Sequence, residues 1–459
     1  MDTLSLSCSG NNLSHFFPPQ LVLQWYDEAD RSVQYRDRDL PRPVVFLGLL
    51  KYAVNGFGNL GHAFADAALE LQPEEFPLHL SKGSVTQARR RLPVEVLRRA
   101  YAHIGTLVDE CRFASPIKGF RVLCLDGTDF AVADTPENRE VYGLPGSRTG
   151  ETAFPLIQAA LVMDAATHLF VAERHGAYGR QSETALADNM LAEVVESGVL
   201  LEADRGFASY ERIKRVGELG GDMLVRVKRT WILPKLEELE DGSFISAIRG
   251  EDARNCRAIP RGEHPSDLRV RVIEYCVCES GGKVREFRLV TTVLDPRKLP
   301  ASTAVQGYHI RWGIEVGIRE LKWLRERFRI PQFPGKSRAS VEQEYWGLLL
   351  AHSVLRCAMA FAAKAHKLDP TRLSLSGTRA VLERYLPHLR RLPPADMPEW
   401  IARMFRAIAR EQLPVPNGRS CPRVVKKWRR AFPSKQRSQP TSTYPDYRLE
   451  LRESTGTAA

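Results

Sequence analysis

The chain contains 459 residues, of which 43% are hydrophobic, so it can bury a sizeable core and is long enough for about two to four domains. No run of eighteen or more apolar residues occurs, and the amino-terminal stretch lacks the basic start and apolar segment of a secretion signal, so we expect a cytoplasmic protein without a membrane partner. Basic residues exceed acidic residues by 11, which favours a polyanionic partner.

Helical spacing dominates roughly the first hundred residues of the sequence. SVTQARRRLP (84–93) predicts a short helix between a serine cap and a proline stop, after two apolar segments that are typical of core helices. It presents Arg89, Arg90 and Arg91, whose guanidinium groups suit phosphates and base edges. We therefore predict that this helix contacts DNA. The alternative is a surface helix with a charged face.

Strand-like patterns begin after this helical region, and two of them lead into an acid. RVLCLDGTDF (121–130) predicts a buried strand that ends at Asp126. VLLEADRGF (199–207) predicts another that ends at Asp204. If these strands are neighbours, their terminal carboxylates meet at one end of a sheet.

The segments around these two strands complete a mixed sheet. Residues 154–176 predict two strands around the turn DAATH, and 182–196 an amphipathic helix. DMLVRVKRT (222–230) alternates apolar and basic residues as a half-buried strand does, and its Arg226 and Lys228 are predicted DNA contacts. The order of these segments predicts a sheet with helices packed on it.

The pattern changes again towards the carboxyl end. Residues 231–303 contain two alternating, β-branched runs and predict a β-rich insertion, and 345–366 predict a long apolar helix. From 412 to 445 there is no acidic residue but eight basic ones, among them Lys426 and Lys427. Such a tail suits a polyanion, although it could equally be a merely solvated segment.

The segment YHIRWGIEVGIRELK (308–322) carries four polar-tipped residues at helical steps: Tyr308, Arg311, Glu315 and Lys322. On a continuous helix they share a stripe about 60° wide. A surface pair of Arg311 with Glu315 would account for two of the four residues. A better account is a carboxylate that binds a metal, flanked by groups that grip phosphates.

A metal ion needs further ligands besides one carboxylate, and the two acids at the predicted strand ends are the candidates. Asp126, Asp204 and Glu315 together offer only oxygen ligands, which suit Mg²⁺ or Mn²⁺. A two-metal site of this kind supports phosphodiester cleavage and strand transfer. We prefer Asp126 to Asp129 because Asp129 is better explained as a turn or surface acid.

The spacing Y-x2-R-x3-E-x6-K resembles the YREK signature of the insertion element 4 family of bacterial DDE transposases, and LDGTDF and EADRGF resemble its two Asp motifs. The resemblance implies an α/β fold: an RNase H-like mixed-sheet core interrupted by a β-rich insertion, with a helical N-terminal domain and a helical, basic C-terminal region. The expected segments are 1–115 (helical, DNA-binding), 116–230 (first part of the core), 231–303 (insertion), 304–368 (second part of the core, with the YREK helix) and 369–459 (C-terminal helices and basic tail).

The resemblance also implies cut-and-paste movement of a DNA element at its inverted ends. Asp126, Asp204 and Glu315 would hold two divalent ions, while Tyr308, Arg311 and Lys322 would contact the DNA backbone. Trp312 and Trp231 are candidates for platforms that stack a flipped base, against the alternative of ordinary packing.

The partners that the resemblance implies are double-stranded DNA, at the element ends and at the target, and a second copy of the chain in a synaptic homodimer. Gly335-Lys336-Ser337 ends like a phosphate loop, but Ile330 stands where the Walker pattern needs glycine, so no nucleotide cofactor is expected. Two other functions stay open: a domesticated DNA-binding protein that no longer cuts, and an RNase H-like nuclease specific for branched structures.

Overall fold

A computed structural model describes residues 16–29, 40–72, 80–147, 150–151, 154–250, 259–279, 284–326, 332–389, 392–414, 423–424, 441–442 and 447–451. The chain forms two compact units. The first comprises Met1–Leu201 and Ile310–Gln412, and the second Glu202–His309 and Leu413–Ala459. Each unit is described on its own below.

Helices occupy both ends of the chain and separate several of the strands. They are α1 Pro19–Ala29, α2 Arg42–Val54, α3 Leu60–Leu71, α4 Lys82–Arg90, α5 Val94–Asp109, α6 Pro136–Tyr142, α7 Glu183–Asp188, α8 Leu191–Val194, α9 Tyr210–Glu218, α10 Ala301–Ile310, α11 Trp312–Glu326, α12 Arg338–His366, α13 Leu375–Leu389 and α14 Met397–Arg410. Short 3₁₀ turns cover Arg205–Phe207 and Pro370–Arg372.

The strands follow the expected change of periodicity in the middle of the chain. They are β1 Arg121–Val132, β2 Gly146–Ser147, β3 Gly150–Glu151, β4 Leu156–Asp164, β5 Phe170–Ala177, β6 Val199–Ala203, β7 Asp222–Arg226, β8 Glu237–Glu238, β9 Phe244–Ile248, β10 Leu268–Glu279, β11 Val284–Thr291, β12 Gln332–Phe333, β13 Arg423–Val424, β14 Thr441–Ser442 and β15 Tyr447–Leu451.

The sheet of the first unit is a meander of three antiparallel strands with a fourth beside the first. Its order is β5-β4-β1-β6, and β12 adds to β1 in parallel. The predicted DAATH turn joins β4 to β5, where Asp164 accepts a hydrogen bond from the amide of Ala166 at 2.9 Å. This arrangement is a mixed sheet with helices, so the predicted α/β class is confirmed. The RNase H-like core stays a prediction.

The second unit contains the β-rich segment. Its strands lie in the order β7-β11-β10-β9-β8, each pair antiparallel, and β15 also pairs with β10. Arg271 is fully buried in this sheet, where its guanidinium donates to the Ser243 hydroxyl at 2.7 Å and to the Leu299 carbonyl at 2.6 Å. The alternating pattern that predicted strands in 231–303 is thus confirmed.

The amino-terminal helices pack into the first unit instead of standing apart from it. Gln343 of α12 donates to the carbonyls of Arg89 and Leu92, at 3.0 and 2.7 Å. α12 is apolar and long enough to span a membrane by length and composition, yet 94% of its apolar window is buried, as expected of a core helix. The structure therefore groups 1–115 with 116–201 and 310–412, and the five expected segments do not correspond to five compact units.

A buried ionic network joins β5 to α12. His175 lies 2.9 Å from Glu173 through Nδ1 and 3.0 Å from Glu342 through Nε2. Tyr345 donates its hydroxyl to Glu173 at 2.7 Å. Burial lowers the pKa of His175, but the hydrogen bonds and charges of the two glutamates outweigh burial and raise this pKa to about 9. His175 is therefore a cation at neutral pH.

This network should make the stability of the first unit depend on pH. Because the pKa of His175 is raised to about 9 in the fold, its stabilisation is fully present below the ordinary histidine pKa, about 6.5, and is lost as pH rises through 9. We expect the free energy of unfolding to fall by about 3 kcal/mol between those pH values. Urea unfolding at several pH values measures it.

His175→Gln should flatten this pH dependence, whereas His62→Gln, at an exposed position of α3, should leave it unchanged. Equal slopes for wild type and His175→Gln would contradict the assignment.

Candidate active site

Asp126 lies inside β1, not at its end. The strand continues to Val132, and Asp126 pairs with Leu161 of β4 in a register that holds as far as Ala131 and Leu156. The prediction that the strand ends at Asp126 is therefore wrong, because pairing with β4 carries it through Gly127. The amide of Gly127 donates to Asp126 Oδ1 at 2.9 Å, which fixes the carboxylate against its own strand.

The YREK segment is not one continuous helix. α10 ends at Ile310, Arg311 forms a turn, and α11 begins at Trp312. Tyr308 therefore lies on a different helix from Glu315 and Lys322, and the predicted single stripe is wrong. Glycines on both sides of the break lower the helix propensity there. The ionic contacts of Arg311 with other parts of the chain stabilise the turn.

Arg311 connects two of the three predicted acids within the first unit. Its NH1 lies 3.5 Å from Asp126 Oδ2, and its NH2 lies 3.2 Å from Glu315 Oε1. The side chain is 8% exposed, so the guanidinium is largely shielded from water. A strand carboxylate and a helix carboxylate, 189 positions apart, are thus drawn to one cationic group.

Two further acids lie beside Asp126. Asp129 lies within β1 and is partly buried, so its assignment as a turn or surface acid is wrong. Burial raises the pKa of Asp129, and the charge of Lys322 opposes that rise. Burial also raises the pKa of Glu183, and Asp129 and Asp126 raise it further. A methyl group at Gly127 would overlap the Glu183 carboxylate. Sequence analysis missed Glu183, which looked like an ordinary first-turn acid of a helix.

Asp204 lies in the second unit and follows β6 directly, as the sequence predicts. Tyr308 donates its hydroxyl to Asp204 Oδ1 at 3.3 Å, and Arg226 NH2 lies 2.8 Å from the same oxygen. Tyr308 is 6% exposed. Tyr308 and Arg226, which were both predicted to contact DNA, therefore contact the Asp204 carboxylate.

The acidic donors suit a hard divalent cation by their chemistry. Asp126 and Glu315 both contact the Arg311 guanidinium in the first unit, Asp126 at NH1 and Glu315 at NH2. Within the described ranges, no group of three or more His, Cys, Asp or Glu is arranged so that it could hold a metal ion. The three-acid metal site therefore stays a prediction.

The arginines of α4 divide into one structural residue and two exposed ones. Arg89 donates to Glu344 at 2.9 Å and to Gln343 at 2.9 Å, and it is 9% exposed. Because this guanidinium is committed to α12, the predicted DNA contact of Arg89 is wrong. Arg90 and Arg91 are exposed and stay predicted DNA contacts.

The remaining predicted contacts differ in exposure. Lys228 is exposed and Trp231 half-buried, in a loop whose carbonyls accept hydrogen bonds from Arg288. Trp312 is 58% exposed, which disfavours ordinary packing for it. Trp323 of α11 is also 39% exposed, and it was not among the tryptophans considered as stacking platforms. Lys426 and Lys427 lie outside the described residues.

Residues 117–354 match the family model described as Transposase DDE domain, and this stretch is more than half of the chain. The chain belongs to the DDE transposase family. The curated transposase InsG for insertion sequence element IS4 of Escherichia coli (strain K12) is 25% identical over 421 residues, covering 90% of this chain and 91% of that protein. The putative transposase InsZ of the same strain is 31% identical over 159 residues, 34% of this chain and 50% of that protein.

Among solved structures, the cryo-EM structure of the piggyBac transposase synaptic complex with hairpin DNA aligns at 10% identity and a TM-score of 0.39, over 88% of this chain and 81% of that one. At that score the likeness carries no argument about the fold. The family match makes this protein a DDE transposase, an enzyme that acts on DNA. Transposases of this family generally use divalent metal ions.

The transposase has a tight packing point where α11 begins. A Cβ atom added at Gly313 would lie 2.6 Å from His168 Nε2 in the β4–β5 turn. We expect Gly313→Ala to force α11 away from the turn and destabilise the protein by about 1–3 kcal/mol, in spite of the better helix propensity of alanine. Urea unfolding measures the change.

Gly105→Ala in α5 is the matched control, because nothing lies within 4 Å of its added Cβ atom. It should be neutral or stabilise by up to about 1 kcal/mol. If the two alanine variants unfolded at the same urea concentration, the packing argument would fail.

Proposed function

We propose that this transposase moves a DNA element by cut-and-paste transposition, cleaving at terminal inverted repeats and joining the freed ends to target DNA. The observation that supports it best is the shared contact of Asp126 and Glu315 with Arg311, 3.5 and 3.2 Å away. Two carboxylates that face one cation position in a DDE transposase are suited to metal-assisted cleavage of phosphodiesters.

Asp126, Asp204 and Glu315 are the ligands in this proposal, and Mg²⁺ or Mn²⁺ is the ion, in a pair. Bound there, two ions would activate the attacking water or 3′-hydroxyl and stabilise the leaving 3′-oxygen. The protein supplies oxygen ligands and a fixed geometry, and no covalent enzyme intermediate is required. The approach of Asp204 to the other two acids is part of the proposal.

The cations around the acids have a second role in this scheme. Arg311 offsets part of the negative charge of Asp126 and Glu315, Arg226 offsets that of Asp204, and the Tyr308 hydroxyl donates a hydrogen bond to Asp204. With metal bound to the acids, these groups would contact the DNA backbone. Lys322 and the exposed Lys228, Arg90 and Arg91 would add further phosphate contacts, as would Lys426 and Lys427.

The assembly we propose is a homodimer that synapses two element ends, in the bacterial cytoplasm and on the nucleoid when bound to DNA. Mass measurement on paired-end DNA tests this stoichiometry. A monomer that cleaves one end unaided would contradict it.

Neutralising any one of the three acids should abolish cleavage without loss of end binding. The variants are Asp126→Asn, Asp204→Asn and Glu315→Gln, each isosteric and each lacking one charged ligand. Cleavage of end-containing DNA with and without Mg²⁺ measures the first effect, and gel-shift titration the second. Glu196→Gln, at an exposed position, is the control and should cleave normally. Normal cleavage by any one of the three acid variants would remove that residue from the site.

Trp312 should contribute to binding through stacking on a base. Since stacking is worth about 1–3 kcal/mol per base, Trp312→Ala should weaken binding of a cleaved end about 5- to 150-fold. Trp312→Phe keeps an aromatic face and should lose much less. Titration with DNA that carries a fluorescent base analogue at the end measures both, and equal affinities for all three proteins would assign Trp312 another role.

A further inference from the structure

Behind the active-site face of α11 lies a buried ionic cluster that the proposed chemistry does not use. Glu320 of α11 receives two hydrogen bonds from Arg356 NH2 of α12, both at 2.5 Å, and one from Arg356 Nε at 3.2 Å. His352 Nε2 lies 3.1 Å from the same carboxylate. His352 is fully buried and Arg356 is 2% exposed, so the cluster belongs to the core of the first unit.

The charge states of this cluster fit a strong, directed contact. Burial raises the pKa of Glu320, but Arg356 and His352 together lower it to about 2, so the carboxylate is ionised. Burial lowers the pKa of His352, which leaves a neutral ring able to donate from Nε2. A forked guanidinium and an imidazole then hold the two carboxylate oxygens in a fixed orientation.

Glu320 and Glu315 lie on opposite sides of one helix. They are five residues apart, which on an α-helix corresponds to about 140° of rotation. Glu315 meets Arg311 on one side, while Glu320 meets α12 on the other. Any rotation of α11 about its axis therefore moves both carboxylates, and fixing one fixes the other.

Two close contacts restrict the same helix against β4 and β5. Gly313 lies against His168, and a Cβ atom at Gly317 would lie 2.9 Å from Met163 Sδ and 3.1 Å from Phe170. Burial lowers the pKa of His168 to about 3, with the charge of Arg356 acting in the same direction, so this ring is a neutral neighbour of the cluster. The helix is seated directly on the sheet.

The carboxyl end of α11 has an anchor of a different kind. The Arg325 guanidinium lies 5.6 Å from the ring centroid of Phe130 in β1 and 5.8 Å from that of Phe333 in β12. Such a contact limits tilt at that end but leaves rotation less defined, because a ring face accepts a cation over a broad area. The directed, forked contact is at Glu320.

We propose that Glu320 is a positioning residue, whose buried contacts with Arg356 and His352 set the rotation of α11 and thereby the placement of Glu315 beside Asp126. This rests on the proposed catalytic role of Glu315. A buried ion pair adds little net stability compared with well-packed apolar side chains, whereas removing one partner is costly. Specifying orientation is a role that apolar packing would not replace.

The test separates orientation from stability with the pair variant Glu320→Leu/Arg356→Leu, which removes both charges and leaves apolar volume. We expect it to unfold close to wild type, to bind element ends within about threefold, and to cleave pre-bound ends about 10- to 100-fold more slowly, since a misplacement near 1 Å can cost that much. Hydrogen exchange in 312–326 should rise while that in α5 does not.

Glu320→Asp covers the case in which the pair variant is too unstable to assay. It keeps the charge but shortens the reach by one methylene, and we expect a loss of cleavage rate of about threefold or more with end binding retained. Glu70→Gln is the control: it removes a buried carboxylate that pairs with Lys51 at 2.7 Å between α2 and α3, a pair that shares no residue with the cluster of Glu320, Arg356 and His352, and it should leave the cleavage rate of the folded protein unchanged.

The result that would overturn the proposal is wild-type cleavage by the folded pair variant, or by Glu320→Asp. Glu315→Gln is assayed alongside to keep the two proposals apart. If Glu315→Gln cleaves normally, the proposed function of Glu315 has failed. If Glu315→Gln is inactive and the folded pair variant cleaves like wild type, only the positioning role of Glu320 has failed.

Discussion

Ionised carboxylates repel one another, so they lie close together in a folded protein only where a cation compensates their charge. The first unit of this transposase meets this constraint. Asp126 and Glu315 approach each other because Arg311 stands between them. Asp204 has its own compensation in the second unit, from Arg226 and Tyr308. Every predicted acidic ligand thus has an internal partner among the described residues.

Several elements of the first unit hold the short helix α11 in place. α11 rests on the sheet through Gly313 and Gly317, is fixed from behind by α12 through Glu320, and carries Arg325 over two phenylalanine rings. A catalytic carboxylate on a rigid element keeps its geometry better than one on a loop. Placing Glu315 on such a helix suits its proposed role as a metal ligand.

The sequence predicted a sheet with helices packed on it and the position of Asp204 because both depend on local signals. An apolar run that leads directly into an acid is enough to place Asp204 after β6. Asp126 was misplaced because pairing with β4 extends β1 through Gly127, and strand pairing is not local. The break at Arg311 depends on contacts with Asp126, far away in the chain. Helical spacing alone could not reveal it.

The burial of charged side chains was the other feature that could not be predicted from the sequence. Arg89 lies in a run of three arginines that is typical of a DNA-binding surface, but Glu344, 255 residues later, draws it into the core. Glu320 and Glu183 were not singled out from the sequence for the same reason: their partners lie on other elements. A charge pattern predicts a surface only when no distant partner competes for it.

The most direct test of the central claim is to map where the metal binds on the chain itself. Fe²⁺ can replace Mg²⁺ in oxygen-ligand sites, and with ascorbate and peroxide it generates radicals that cut the backbone nearby. With element-end DNA bound, the account predicts cuts close to Asp126, Asp204 and Glu315 in one and the same protein, all suppressed by excess Mg²⁺. Cuts near Asp126 and Glu315 with none near Asp204 would contradict a shared site.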